Sequence, residues 1–202
     1  MLKIAVLISG GGSNLESIMN SIDSGYLNNI EIVSVIADRD ASGLLKAKSR
    51  GYKTLLLDRK IYKEDLSNQI LKTIDGKVDY VVLAGFLSII GKNLINKFRN
   101  RIINIHPSLI PSFCGAGMYG MKVHEAAIEK GVKYSGCTVH FVNEEVDGGA
   151  IISQQIVEVS FEDTASILQK KILKEEHRIL PKVLKELSEL NLEIIDGRVK
   201  LQ

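Results

Sequence analysis

The sequence predicts an α/β protein: an open, mostly parallel, twisted sheet with helices on both faces, and antiparallel hairpins added in the C-terminal half. Three observations carry this. Short apolar runs alternate with amphipathic segments through the first half of the chain, the rhythm of strand–helix–strand units. Val78–Ala84 is nearly all apolar, as expected of a parallel strand covered on both faces. Beyond His106 the rhythm changes to a Pro- and Gly-containing stretch, two strand-like segments and one long amphipathic helix.

In chain order, Lys3–Ser9 reads as a buried strand that runs into Gly10-Gly11-Gly12, with a helix from about Ser13 to Ser24. Ile30–Ala37 is rich in β-branched residues and reads as a second strand. Ser42–Arg50 is helical and stops at Gly51, which suits a left-handed cap. Thr54–Leu57 is a short strand. Tyr62–Ile74 carries Leu66, Ile70, Leu71 and Ile74 at helical spacing and ends near Gly76. Asn93–Phe98 is a short helix and Arg101–Ile105 a fifth strand, with right-handed crossovers expected throughout. Residues 107–120 contain Pro107, Pro111, Gly115, Gly117 and Gly120, a long loop of the kind that often carries function. Met121–Lys130 is helical. Tyr134–Val142 and Ala150–Val159 are strands joined by a wide loop over 143–149. Asp163 or Thr164 caps a helix to about Leu190, which Pro181 is expected to kink. Asp196-Gly197 centres a tight terminal hairpin. No repeat or linker interrupts the pattern, so 1–202 reads as one domain.

Composition bounds the function without naming it. The chain has 202 residues, 45% hydrophobic and 25% charged, ordinary for a soluble globular protein. Its net charge is only +2, which argues against a general nucleic-acid binder. Aromatics are 5%, with no Trp, so a stacking platform for single strands is disfavoured. Cys114 and Cys137 cannot make a disulfide framework and suit a reducing, cytoplasmic compartment. No apolar stretch is long enough for a membrane span, and Ile4–Ile8 is too short for a signal-peptide core.

Three motifs carry chemistry. Ser9-Gly10-Gly11-Gly12-Ser13-Asn14 lies between a strand and a helix. Exposed backbone N–H groups, the helix start and the Ser13 and Asn14 side chains can together hold a phosphate. The bland alternative is a tight turn capped by Ser or Asn. The spacing matches neither the dinucleotide fingerprint nor a P-loop, which disfavours ATP. Asn104-Ile105-His106-Pro107-Ser108 ends the fifth strand, where ligands of open α/β sheets sit. Asn104 and His106, two apart, point to one side and can both donate to a developing oxyanion. Pro107 restricts the His106 backbone. The alternative is a polar strand end packed under a loop. Asp147-Gly148-Gly149 is first of all a turn signal. Functionally it requires the loop to fold back over His106, where a carboxylate would favour the imidazolium.

The remaining polar residues are less informative. His124, His140 and His177 are dispersed and there is no Cys-x-x-Cys, so no metal site is expected. His140 alternates with Val139 and Phe141 and reads as a satisfied strand residue. Glu175-Glu176-His177-Arg178 reads most simply as a solvated helix face. Cys114 has no neighbour that signals a lowered pKa. No Gly-x-Ser-x-Gly elbow supports a serine hydrolase.

Five runs stand together in the order of one known family: Ile8-Ser9-Gly10-Gly11-Gly12-Ser13-Asn14-Leu15, Leu83-Ala84-Gly85-Phe86, Asn104-Ile105-His106-Pro107-Ser108-Leu109-Ile110-Pro111, Thr138-Val139-His140-Phe141-Val142 and Val146-Asp147-Gly148-Gly149. From about residue 3 to residue 182 the chain resembles the phosphoribosylglycinamide formyltransferases, folate-dependent enzymes of purine synthesis. The resemblance implies a Rossmann-like formyltransferase fold. It divides the domain into a nucleotide-binding half to about residue 105, a folate and catalytic half over about 106–190, and a terminal hairpin over about 191–202. It implies catalytic roles for Asn104, His106 and Asp147. It places the ribonucleotide at Gly11, Gly12, Ser13, Asn14 and Pro107, with Glu176 at the ribose, which overrides the solvated-face reading. Formyl-folate falls to Arg59, Leu87, Ser88, Ile89, Ile90, Asn104, Asn143, Val146 and Asp147. Two departures stand out: Ser88 replaces an Arg found in many members, and the loop from Phe113 to Gly120 is longer and richer in Gly.

The implied reaction is transfer of the formyl group of 10-formyltetrahydrofolate to the amine of phosphoribosylglycinamide. It requires no metal, ATP, nucleic acid or membrane, and the chain is expected to be a monomer or homodimer. Alternatives are the methionyl-tRNA formyltransferase, which carries a further C-terminal domain, and the formyl-folate hydrolase, which carries an N-terminal regulatory domain. Neither addition is expected here. A non-catalytic nucleotide-binding module is the alternative of another class.

Overall fold

Five consecutive residues of the first strand, Ile4–Ile8, have no solvent exposure at all. Both faces of that strand are therefore covered, as its unbroken apolar run requires. It is β1 (Leu2–Ile8), with β2 (Ile30–Ala37) paired parallel on one side and β4 (Tyr80–Leu83) parallel on the other. Outside them lie β3 (Thr54–Leu56) and β5 (Ile102–His106), also parallel, giving the order β3-β2-β1-β4-β5. The computed structural model describes all 202 residues, in two compact units, Met1–Asn104 and Ile105–Gln202.

The crossovers of the first unit are α1 (Ser13–Asp23), α2 (Ser42–Ser49), α3 (Arg59–Tyr62), α4 (Leu66–Ile74) and α5 (Lys92–Lys97). α1 packs on α2, and α4 on α5. Helix α2 does stop at Gly51, whose φ of 82° is left-handed. The helix expected over Tyr62–Ile74 is broken. Tyr62 is the last residue of the preceding α3, which is capped by the Asp58 side chain on the Lys60 N–H. Lys63 then takes φ 47° and opens a short 3-10 turn before α4. The apolar spacing belongs to α4 alone, and nothing in it marks the positive φ of Lys63.

Phe98, 2% exposed at the end of α5, is among the largest buried side chains of this unit, and Arg101 lies 5.2 Å from its ring centre. Phe98→Ala is expected to cost about 3–5 kcal/mol of folding stability, since a cavity of that size refills poorly. A urea denaturation midpoint little different from the parent's would show that the unit does not depend on it.

The second unit contains α6 (Met121–Glu129), the antiparallel pair β6 (Tyr134–Phe141) and β7 (Ile151–Glu158), α7 (Ala165–Glu189) and the hairpin β8 (Leu192–Ile195)–β9 (Arg198–Leu201). α7 lies on β6, β7 and α6. Thr164 is the cap, its hydroxyl accepting from the Ile167 N–H. Asp163 instead accepts from Ser160 N and Lys171 Nζ. The helix runs through Pro181 without interruption, and Pro181 is buried. The terminal turn is Asp196-Gly197, φ 49° and 73°, both left-handed as a two-residue hairpin of type I′ needs. No helix is long and apolar enough to cross a membrane.

Candidate active site

The glycine turn after β1 is braced by backbone rather than by side chains. Gly12, with φ 68°, is the cap residue of α1, and no side chain caps the helix. Ser13 and Asn14, the caps of the bland alternative, are instead its first two residues. Gly43 at the start of α2 donates its N–H to Gly10 O at 3.1 Å. A Cβ on Gly43 would stand 2.6 Å from Ile8 Cδ1 and 3.0 Å from Gly10 O, and one on Gly12 would stand 3.0 Å from Gly43 Cα. Two backbones touch here, so neither position admits a side chain. No side chain caps this eleven-residue helix, and a helix start without one suits an anion.

The same unit contains a cavity of about 490 Å³ lined by Arg59, Lys63, Leu87, Ser88 and Ile89. Leu87 is 47% and Ile89 75% exposed, so apolar surface, two cations and the carboxylate of Glu64 share one hollow. Ile90 is buried and does not line it. Ser88 is turned away toward Asp38: its hydroxyl donates to Asp38 Oδ2 at 2.5 Å, while Arg39 donates through Nε to Oδ1 at 2.9 Å and through Nη2 to Oδ2 at 2.7 Å. Ser9 Oγ accepts from the Leu87 N–H at 2.8 Å, which ties the glycine turn to the same wall.

Burial pushes the Asp38 carboxyl up, but hydrogen bonds from Arg39, Ser88 and Ser9 outweigh it and hold the group below its ordinary range. A depressed carboxyl binds fewer protons folded than unfolded, so stability rises with pH. The contribution is present above the unfolded value, near 3.9, and is lost as pH falls through the lower folded value. Urea midpoints followed downward from neutral pH are expected to fall more steeply for the parent than for Asp38→Asn. Equal slopes would remove Asp38 from the account.

In the second unit the Asp147-Gly148-Gly149 loop does fold back over His106. His106 Nδ1 lies 3.5 Å from Asp147 Oδ2, with the two side chains 6% and 9% exposed. The other ring nitrogen, Nε2, is 2.9 Å from Phe113 O. A carbonyl only accepts, so Nε2 carries a hydrogen. Neutral His106 would then present a lone pair to the carboxylate, whereas the imidazolium presents an N–H. The Gly115 N–H donates to Asp147 Oδ2 at 2.9 Å, so one short stretch of loop holds both partners. Phe113 and Asp147 have φ of 51° and 58°, left-handed values that a surrounding network must maintain. A Cβ on Gly149 would sit 1.8 Å from Phe141 O, the steric reason for glycine there.

The segment after His106 is anchored to β6: Thr138 Oγ1 donates to Ser108 O at 2.6 Å and accepts from Ile110 N at 3.1 Å. Asn104 lies two residues before His106 on β5, where strand alternation gives both the same direction. Pro107 follows directly. A cavity of about 870 Å³ is lined by Cys114, Asn143, Val146, Asp147 and, from the terminal hairpin, Arg198. Burial, then the charges of Asp147 and Glu145, push the Cys114 thiol up, as its unremarkable sequence context suggests. Glu176 is 7% exposed on α7, not part of a solvated face. Burial raises the thiol of Cys137 to about 12, and Glu176 and Glu175 add to the rise. No group of three or more His, Cys, Asp or Glu side chains is placed to hold a metal ion.

Sequence reasoning missed four participants. Phe113 and Gly115 act through backbone groups, which residue type does not reveal. Lys63 joins its cavity through the unexpected break before α4. His140, read as a satisfied strand residue, does bond Phe141 O through Nδ1 at 2.8 Å, but its Nε2 also lies 3.7 Å from Asp147 Oδ1. The alternation of β6, which puts His140 on the face of Thr138, was the available signal.

An imidazole and a carboxylate 3.5 Å apart, both largely buried, form a pair that can hold or move a proton, the chemistry of a group-transfer site. The chain belongs to the formyl transferase family, whose model matches residues 2–184. It is 41% identical over 186 residues to the chloroplastic phosphoribosylglycinamide formyltransferase of Arabidopsis thaliana, covering 90% of this chain and 64% of the relative. Against the phosphoribosylglycinamide formyltransferase of Haemophilus influenzae it is 38% identical, covering 98% of this chain and 92% of the relative. The crystal structure of glycinamide ribonucleotide transformylase 1 from Symbiobacterium toebii superimposes with TM-score 0.92 at 39% identity, covering 100% of this chain and 94% of that one. The chain thus spans less than two thirds of the plant relative's length.

Proposed function

We propose that the protein transfers the formyl group of 10-formyltetrahydrofolate to the amine of phosphoribosylglycinamide, a step of purine synthesis. The observation that carries this reading is Asp147 folded back onto His106 at 3.5 Å, with the far ring nitrogen fixed as a donor by Phe113 O. The amine attacks the formyl carbon, and a tetrahedral intermediate with an oxyanion forms. Asn104 donates to that oxygen, and so does protonated His106 once its Nε2–H turns from Phe113 O to the oxyanion. Asp147 keeps His106 charged and oriented, and accepts the amine proton through water. The C–N bond to the folate then breaks, and the leaving nitrogen takes a proton.

The ribonucleotide phosphate is assigned to the N–H groups and side chains of Gly11, Gly12, Ser13 and Asn14, with Pro107 alongside and Glu176 at the ribose. The folate is assigned to Arg59, Leu87, Ser88, Ile89, Ile90, Asn104, Asn143, Val146 and Asp147. Since Ser88 is spent on Asp38, the cationic contact falls to Arg59 and its neighbour Lys63. We further place the chain in the cytoplasm, as a monomer or homodimer acting on small molecules without nucleic acid or membrane. A formylation assay with both substrates tests the reaction. Formylated ribonucleotide and tetrahydrofolate should appear in equal amounts. Folate hydrolysis that releases formate without transfer, or no turnover at all, would refute it.

A further inference from the structure

We infer that Asp38 is a positioning residue, a buried carboxylate that holds the segment from Leu87 to Gly91 in place as one wall of the cavity assigned to the folate. This deepens the proposed reaction and rests on it for the identity of the ligand, though not for the hold itself.

Every group that reaches the Asp38 side chain is a donor. The side chain has no solvent exposure and follows directly on β2. Arg39 donates through Nε to Oδ1 and through Nη2 to Oδ2, and the Ser88 hydroxyl donates to Oδ2 as well. Ser9 adds a further hydrogen bond. Its oxygen already accepts from the Leu87 N–H, which leaves its single hydrogen for the carboxylate. Two successive residues, Leu87 by its main chain and Ser88 by its side chain, are thus hung from one carboxylate. Only a group with two accepting oxygens serves all these donors. An amide in its place would turn an NH2 group toward one of them.

The carbonyl of the same residue holds another part of the cavity. Asp38 O accepts from the Arg59 N–H at 2.8 Å, at the start of α3. The lining has Leu87, Ser88 and Ile89 on one segment and Arg59, Lys63 and Glu64 on another, and Asp38 is bonded to both segments. The far end of the first has its own clasp. The Gly91 N–H donates at 2.8 Å to the hydroxyl of Ser67, which is 5% exposed on α4. Between the two clasps Leu87 and Ile89 remain exposed. The segment therefore turns polar groups inward and offers apolar side chains to a ligand. Ordering such a wall in advance leaves less to be ordered on binding, which favours affinity.

Charge makes the hold firm. Burial works against ionisation of Asp38, but the hydrogen bonds from Arg39, Ser88 and Ser9 outweigh it. The Arg39 guanidinium is held chiefly by Asp38 and also feels the charge of Asp58, the residue that caps α3.

The test has two arms. Asp38→Asn keeps the shape but removes the charge and one accepting oxygen. KM for 10-formyltetrahydrofolate should rise about tenfold, the equivalent of one hydrogen bond to a charged group. The kcat and the KM for phosphoribosylglycinamide should change less than about twofold, because the glycine turn is braced separately, by the Gly43 N–H on Gly10 O. An equal rise in both KM values, an unmoved folate KM, or a loss confined to kcat would overturn the inference. The second arm needs no substrate. Hydrogen exchange at the Leu87 N–H should quicken about tenfold in Asp38→Asn, since one amide oxygen must serve donors that shared two, while the N–H groups of β1 keep the parent's rates. Unchanged exchange at Leu87, or a uniform rise across the unit, would overturn it whatever the enzyme formylates. Should Asp38→Asn fail to fold, Ser88→Ala removes one hydroxyl from the carboxylate and is read in both arms. The folate KM should then rise about threefold, and exchange should quicken at Leu87 alone. Neither change appearing would overturn the inference.

Discussion

Changing Asp147 to Asn is expected to lower kcat by roughly 10²–10⁴-fold, the span of general acid–base effects, with little change in ribonucleotide affinity. The substitution is nearly isosteric. The Asn oxygen can still accept from the Gly115 N–H, now 2.9 Å from Asp147 Oδ2, so the loop keeps its tie. What is lost is charge. The Gly115 N–H and His106 Nδ1 both face Oδ2, so the Asn oxygen that keeps the tie meets the ring as a neutral acceptor, without the charge that favours the imidazolium. The phosphate of the ribonucleotide is assigned elsewhere, to the glycine turn, so calorimetric binding should stay near the parent's. Near-normal turnover would mean that Asp147 neither charges His106 nor takes the amine proton.

Removing the ring itself, in His106→Ala, is expected to cost about 10²-fold or more in kcat, the scale of losing one oxyanion donor. Two separate losses are folded into that figure. The oxyanion loses a charged donor, and Phe113 O loses the N–H that now reaches it at 2.9 Å. Residues that act as a unit are not additive. The double variant His106→Ala with Asp147→Asn should therefore be scarcely slower than the worse single one. Rates that multiplied instead would show the two side chains acting independently, against the 3.5 Å approach between them.

Much of this was legible from residue order, for identifiable reasons. Short apolar runs such as Val78–Ala84 and β-branched runs such as Ile30–Ala37, bounded by turn residues, favour strands over helices, and Ile30–Ala37 forms over just those residues while the first narrows to Tyr80–Leu83. The Asp-Gly pair near the terminus specified its own turn. The helix around Lys63 was not legible, because its break is a backbone torsion at a residue type that does not announce one. The bland alternative for the glycine turn, a cap by Ser or Asn, fails because here glycine has the left-handed angle and the two side chains follow it inside the helix. Pro181 lies inside α7, as read from the sequence, and there the packing of a 25-residue helix on two strands outweighs a local propensity. At the site, the types and positions of His106 and Asp147 were visible. The carbonyl of Phe113, the N–H of Gly115 and the second ring on Asp147 were not, since their partners lie far off in sequence or on the main chain.

The short span from Phe113 to Gly115 sets a limit on how the protein can change. Its first residue orients the imidazole and its last anchors the carboxylate, so the distance between two backbone atoms is matched to the distance between two side chains. Surface loops ordinarily accept added or deleted residues. This one behaves as a ruler: a single insertion between Phe113 and Gly115 would force a choice of which partner to hold, whatever residue was inserted.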